Sequence, residues 1–169
     1  ERKLTAIGKK MARLPSDPRY SRMLIEADKL GVLESVITIV SGLSIQDPRE
    51  SFADNKQLAA ERHAQYKHPD SDFMSYLLLW ESYEEQRQAL SQSSLRKYCK
   101  KQLLSFMRMR EWREVHRQLR LAGESLGLRV QREEGGEKDY ANIHKSLIAG
   151  SLNQLARKSD ERSYLGTSN

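Results

Sequence analysis

Between Ser94 and Ala122 the chain reads SLRKYCKKQLLSFMRMREWREVHRQLRLA, and the spacing of its cations strongly limits how it can fold. At about 100° per residue, Arg110, Arg113, Arg117 and Arg120 share one helical face, with Trp112, Val115, Leu119 and Ala122 opposite. Upstream, Lys97, Lys100, Lys101 and Arg108 share a face opposite Leu95, Tyr98, Cys99 and Phe106. One straight helix would have to swap its basic face midway. Two helices meeting near Phe106–Met109 would let each keep an apolar face on one core, and that is the arrangement expected.

The same stretch holds the whole basic excess. Nine Lys/Arg and two acids (Glu111, Glu114) lie between Arg96 and Arg120, a local charge of +7 against +6 for all 169 residues. The rest of the chain is therefore slightly acidic. So few acids leave i,i+4 pairing unable to neutralise the row, and a solvated charged face explains the pattern less well than a polyanion site. Tyr98, Phe106, Trp112, Met107 and Met109 interleave with the cations, and aromatics so placed could stack on unpaired bases. Tyr98 and Trp112 fall on the apolar faces and are expected in the core, while Met107 and Met109 stay open.

A chain of this length with 38% hydrophobic content can bury one sizeable core. No apolar run reaches the ~18–20 residues of a membrane span; the longest, VLESVITIVSGL, contains Glu34. The start, ERKLTAIGKK, has no apolar signal region and no methionine, so a piece of a longer protein is expected. The lone cysteine, Cys99, permits no internal disulfide, fits a cytoplasmic setting and is read as a core residue.

Helix signals recur along the chain. Thr5 can cap a short helix that stops before Pro15. Ser16-Asp17-Pro18 gives a cap followed by proline at the first helical position, and Gly31 stands where a left-handed residue ends that helix. Leu33, Val36, Ile37, Val40 and Leu43 recur at helical spacing and predict a buried helix. Asp47-Pro48 opens a polar loop; NKQLAAERHAQY is a weakly amphipathic helix ending before Pro69. Ser71-Asp72 caps an apolar helix in which Phe73, Leu77, Trp80 and Glu84 share a face widened by Tyr76, Leu79 and Tyr83. Ser91–Ser94 is a turn capping the basic stretch, which closes at Gly127; QREEGGEK is an exposed loop. A last helix runs through Ile143, Leu147, Ile148, Leu152 and Leu155. No hairpin signal or repeat is found, and the fold class expected is all-α, a bundle of about seven to eight helices.

Catalytic apparatus is scarce. Neither a GxxxxGK[ST] phosphate loop nor GxGxxG occurs. His63, His68, His116 and His144 form no HExxH pattern; three are expected on surface faces, with His116 extending the basic row. Asp70-Ser71-Asp72 suits capping better than calcium. Glu84-Glu85 and Glu133-Glu134 read as solvated faces. The expectation is a binding element with no catalytic residue and no metal or cofactor of its own.

The stretch LTAIGKKMARLPSDPRYSRMLIEADKLGVLESVITIVSGLSIQDPRE resembles the helicase-associated segment of DEAH-box RNA helicases, whose pattern is LTxLGxxMAxLPxDPRxxxML followed by an apolar helix. HPDSDFMSYLLLW resembles the family's SDF or GDH turn, and LRKYCKKQLLSFMRMREWREVHRQL its cysteine-bearing helix and following arginine-rich helix, in the form of the bacterial branch. The resemblance implies a winged-helix tail over residues 1–14, a ratchet-like helical domain over 15–156, and a lead-in to an oligonucleotide-fold domain over 157–169. It also implies that this part lines a channel for single-stranded RNA while two RecA-like motor domains, holding ATP and magnesium, drive 3′-to-5′ movement. Partners would be single-stranded RNA and the motor and oligonucleotide-fold domains of the same polypeptide; a monomer is expected, inactive as an ATPase without the motors. Arg110, Arg113 and Gln118 match positions of the family's motif, whereas His116 and Tyr98 stand where its eukaryotic members often have Arg and Trp. The RNA-binding residues expected are Lys97, Lys100, Lys101, Arg108, Arg110, Arg113 and Arg117. From the residues alone, a helical adapter docking an acidic protein and a helix-turn-helix DNA-binding domain remain open.

Overall fold

The computed structural model describes residues 17–130 and 139–151. Within them lie seven α-helices and one short 3₁₀ turn, with no strand beyond an isolated bridge between Arg49 and Leu104. The all-α expectation holds. The helix proposed before Pro15, the QREEGGEK loop and the C-terminal tail lie outside the described residues.

The first helix, α1 (Pro18–Lys29), starts and stops on the residues its sequence marks. Asp17 caps it by accepting from the Arg19 amide at 3.0 Å, and Pro18 fills a position whose N–H would have no helical partner. At the other end Gly31 adopts φ 75°, its amide bonding Asp28 O and the next amide, Val32, bonding Ala27 O at 2.9 Å. That pair of bonds satisfies carbonyls the helix would otherwise leave open. Helix α2 (Leu33–Leu43) is buried on nearly every side, Glu34 and Leu43 excepted, so its side chains at 35, 38 and 41 must satisfy their hydroxyls internally. Ser41 does so by donating to Thr38 O at 2.9 Å. Leu43, expected in the core, is 41% exposed because the buried face ends one residue earlier.

Helix α3 (Lys56–His63) runs into the 3₁₀ turn Ala64–Tyr66 and is followed by α4 (Asp72–Ala89), α5 (Gln92–Lys101) and α6 (Phe106–Ser125). Ser71 and Ser91 cap α4 and α5 through bonds from the Met74 and Ser94 amides. Helix α4 buries Tyr76, Leu77, Leu79 and Tyr83, whereas Phe73 in its first turn is 38% exposed. Helix α6 ends at Gly127, φ 79°, with the same paired carbonyl bonds as α1. The last helix, α7, covers residues 140–151 of the described chain; Ile143 and Leu147 are buried but Ile148 faces solvent.

The break in the basic stretch falls at residues 102–105, slightly before the expected Phe106–Met109. Its cause lies in the polar loop. The Glu50 amide donates to Leu103 O at 2.9 Å, the Ser105 amide to Pro48 O at 2.8 Å, and His63 Nε2 to Leu103 O at 3.0 Å. Two donors from distant sequence on the Leu103 carbonyl, and a third bond two residues on, thus hold Leu103 at φ 54°, a left-handed conformation that leucine rarely adopts.

The chain divides into two compact units. One comprises the described parts of Glu1–Ile37 and Gln118–Asn169; the other is Thr38–Arg117. In the first, α7 approaches α1 so closely at Gly150 that a methyl group there would lie 2.6 Å from Arg19 O. In the second, an aromatic cluster forms around Trp112, whose indole N–H donates to Thr38 O and to Ser41 Oγ at 3.0 and 2.9 Å. Tyr76 meets it edge-on at 5.6 Å and Trp80 lies 5.1 Å away, tilted. Every expected RNA-binding residue belongs to this second unit.

Candidate nucleic-acid interface

Helix α5 inserts Leu95 and Cys99 into the core and thereby turns Lys97, Lys100 and Lys101 to solvent. None of the three lysines makes an ion pair among the described residues. Lys100 and Lys101 occupy the last turn, where the partial negative charge of the helix end offsets some of their mutual repulsion. Burial pushes the Cys99 thiol up to about 11, so the cysteine is an inert core group, as its spacing predicts. Tyr98 is half-buried, its hydroxyl 2.7 Å from that of Tyr66. Burial, then that neighbour, raises the Tyr66 pKa.

Helix α6 distributes its arginines differently from the sequence expectation. Arg110 is exposed and makes no ion pair among the described residues. Arg113 instead holds Glu84 of α4 through Nε at 2.8 Å, and Glu84 also takes Arg87 at 3.0 Å. Glu84 is only 19% exposed at its side chain, so the reading of a solvated acid is corrected. Arg117 pairs with Glu114 one turn back, which raises its pKa through the hydrogen bond between them. Both partners there are more than half exposed, and such a pair contributes little to stability. The row is therefore partly neutralised, at Arg117 by Glu114 of the same helix and at Arg113 by an acid from another helix that local spacing could not reveal.

Arg108 does not share a face with the α5 lysines, because the break places it on α6. There it sits about 160° around the helix from Arg110 and donates to Asp47 O at 3.0 Å. It braces the loop. The structure thus exposes Lys97, Lys100, Lys101 and Arg110 without carboxylate partners among the described residues, and ties Arg108, Arg113 and Arg117 to other groups.

The undecided methionines separate cleanly: Met109 is fully buried, while Met107 is 64% exposed. His116 does not extend the basic row. Its ring stacks on Trp80 with centroids 4.5 Å apart, and Nε2 lies 3.2 Å from Thr38 Oγ1. The three histidines expected on surface faces are all half-buried and engaged. His63 braces Leu103, His68 Nδ1 accepts from the Asp70 and Ser71 amides, and His144 donates to Tyr140 O. Among the described residues no group of three or more His, Cys, Asp or Glu is placed to hold a metal ion, and no helix is long and apolar enough to cross a membrane.

The sequence reading leaves Arg96 out of the RNA-binding set and names Phe106 only among the aromatics interleaved with the cations; the structure brings the two together. The Arg96 guanidinium carbon lies 4.6 Å from the centre of the Phe106 ring, and that of Arg110 lies 5.9 Å from it. Beyond that interleaving, the signal for their pairing was the order of residues across the break: a cation on the last turns of one helix and an aromatic opening the next.

Residues 17–76 match the model of the helicase-associated domain (HA2), ratchet-like. Across 99% of its length the chain is 38% identical to the ATP-dependent RNA helicase HrpA of Escherichia coli (strain K12), and across all of it 36% identical to the HrpA homolog of Haemophilus influenzae. A more distant relative, ATP-dependent RNA helicase DHX33 of Drosophila melanogaster, is 26% identical over 90% of the chain and is itself covered to 21%. The chain spans 13% of the length of either bacterial relative. Its Asp17-Pro18 start coincides with the first matched residue and its helices follow the expected order; residues 17–76 carry the ratchet-like helicase-associated domain (HA2), and the chain is similar from end to end to HrpA-type ATP-dependent RNA helicases.

Proposed function

We propose that this chain is the accessory RNA-contacting region of an ATP-dependent RNA helicase, in which it lines the channel for single-stranded RNA and steadies the strand between ATP cycles. The observation that carries this reading is the exposed Lys97, Lys100 and Lys101 face of α5, without a carboxylate partner among the described residues, at the site of the chain's entire basic excess. Lysines meeting phosphates give sequence-independent affinity that falls with salt. A translocating motor needs that indifference, since every register of the strand must bind alike. Arg110 extends the face, and Arg113 and Arg117 join it where RNA can compete for them with Glu84 and Glu114.

In this reading residues 1–14 are the tail of a winged-helix domain, 15–156 the ratchet-like domain and 157–169 the lead-in to an oligonucleotide-fold domain. Motor domains in the same polypeptide bind ATP and magnesium, drive 3′-to-5′ movement and take this region's help in coupling hydrolysis to it. The setting is the cytoplasm and the working unit a monomer. The test is the triple reversal Lys97→Glu, Lys100→Glu, Lys101→Glu, with single-stranded RNA binding measured by fluorescence anisotropy. Affinity is expected to fall at least tenfold at low salt while the helical circular dichroism is kept. Binding equal to that of the unaltered chain would refute the reading, and displacement by an acidic protein but not by RNA would favour an adapter.

A further inference from the structure

Arg96 and Arg110 reach Phe106 from two helices, α5 and α6, and neither makes an ion pair among the described residues. Two like charges brought to one half-buried ring need a reason. A cation over an aromatic face at an exposed site contributes only modestly to folding, and the two guanidiniums repel each other. An anion between or beside them removes that repulsion. A guanidinium lying on a ring is also restricted in orientation, so it presents a flat outer face and a fixed edge of N–H donors.

We propose that Arg96, Phe106 and Arg110 form a nucleotide platform: an unpaired base stacks on the guanidinium–phenyl layer while the adjoining phosphate takes the N–H donors. Stacking of this kind accepts any base, because every base has a π-face, and so it suits a strand that must slide. Lys100 lies one turn after Arg96 on the same side of α5 and stands at the neighbouring phosphate. The platform rests on the RNA-contacting reading above and adds to it a base contact, which the lysines, as point charges, do not supply. It also gives the corner between α5 and α6 a role: the turn at Leu103 sets Phe106 at the first position of α6, within reach of Arg96.

The experiment separates stacking from charge in the 169-residue chain. Arg96→Lys with Arg110→Lys keeps both positive charges and removes both planes. Binding is measured to a single-stranded RNA and to an abasic ribose-phosphate strand of equal length, across a salt series. The double variant is expected to bind the RNA at least fivefold more weakly, to bind the abasic strand as the unaltered chain does, and to keep the same salt dependence. Phe106→Leu should show the same selective loss, and Phe106→Tyr, which keeps the ring, should bind normally; thermal melts followed by circular dichroism confirm that each variant is folded. Unchanged RNA affinity in the lysine variant, or equal losses on the two strands, overturns the platform. That failure is distinct from failure of the broader reading, which would show as unchanged RNA binding after reversal of Lys97, Lys100 and Lys101.

Discussion

At Gly42 a single hydrogen atom decides whether the second unit can close. A methyl group there would stand 2.7 Å from Tyr76 Cδ1 and 2.9 Å from two ring carbons of Trp112, closer than such atoms approach in proteins. Trp112 is fully buried and held by two hydrogen bonds, so it cannot step aside cheaply. Gly42→Ala is expected to destabilise by about 1–3 kcal/mol through overpacking. Gly123, in the last turn of α6, offers the control, because a methyl there meets nothing within 4 Å. Gly123→Ala should stabilise by about 0.5–1 kcal/mol through helix propensity and a less flexible unfolded chain. Urea denaturation of the two variants checks both signs. The sequence places Gly42 in α2 and Gly123 in α6 without marking which is obligatory, since that depends on rings from helices remote in sequence.

A second residue-scale prediction concerns Arg49. Burial works against its charge, yet hydrogen bonds to Asp72 and Asp47 more than offset this and its pKa rises. In return the Arg49 hydrogen bond lowers the Asp72 carboxyl below its usual 3.8. A depressed carboxylate adds stability that is complete above 3.8 and disappears as pH falls through the lower folded value. The contribution is thus lost only in the acid limb. Arg49→Met should move the Asp72 midpoint back up towards 3.8 and leave that of Asp17, which is lowered by Arg19, where it is. Carboxyl carbon shifts followed by NMR through the acid range measure both. Cys99 adds a probe of the core: its buried thiol should resist a thiol-specific chromogenic reagent in buffer and react promptly in denaturant.

Among the elements, those announced by local chemistry were legible and those fixed from a distance were not. Asp17-Pro18 and Gly31 mark α1 at both ends, because capping uses atoms within a few residues. Ser71, Ser91 and Gly127 work in the same way. The corner between α5 and α6 shows the limit. Charge periodicity required a break, but its position depends on Pro48, Glu50 and His63, which lie 40 or more residues away and look like loop and surface. The candidate site divides likewise. Exposure of the α5 lysines follows from the burial of Leu95 and Cys99 on the opposite face, which spacing reveals. The capture of Arg113 by Glu84 and of Arg108 by Asp47 O needs tertiary structure. His63→Ala tests the corner: loss of its bond to Leu103 O should cost about 1 kcal/mol, with protection of the Glu50 amide against hydrogen exchange falling first.

For the molecule as a whole, the proposed contact with RNA makes a prediction that is readable from salt: the number of cations engaged. Single-stranded binding weakens with a log–log slope of about −0.7 per phosphate neutralised. Arg96, Lys97, Lys100, Lys101 and Arg110, exposed and free of ion pairs among the described residues, would together give a slope of about −3.5. If Arg108, Arg113 and Arg117 also left their partners for phosphate, the slope would approach −5.6, again at about −0.7 each. The ties seen here favour the shallower value. Arg108 is held by a carbonyl that gains nothing from its release, and Arg113 by an acid with little access to water. Glu84→Gln then becomes the informative variant. It removes the charge that holds Arg113, so the slope should steepen by about 0.7 if the freed cation turns to RNA. An unchanged slope would mean that Arg113 belongs to the scaffold alone. On the proposed reading, either value fixes how much of the basic excess serves the strand and how much holds α4 to α6.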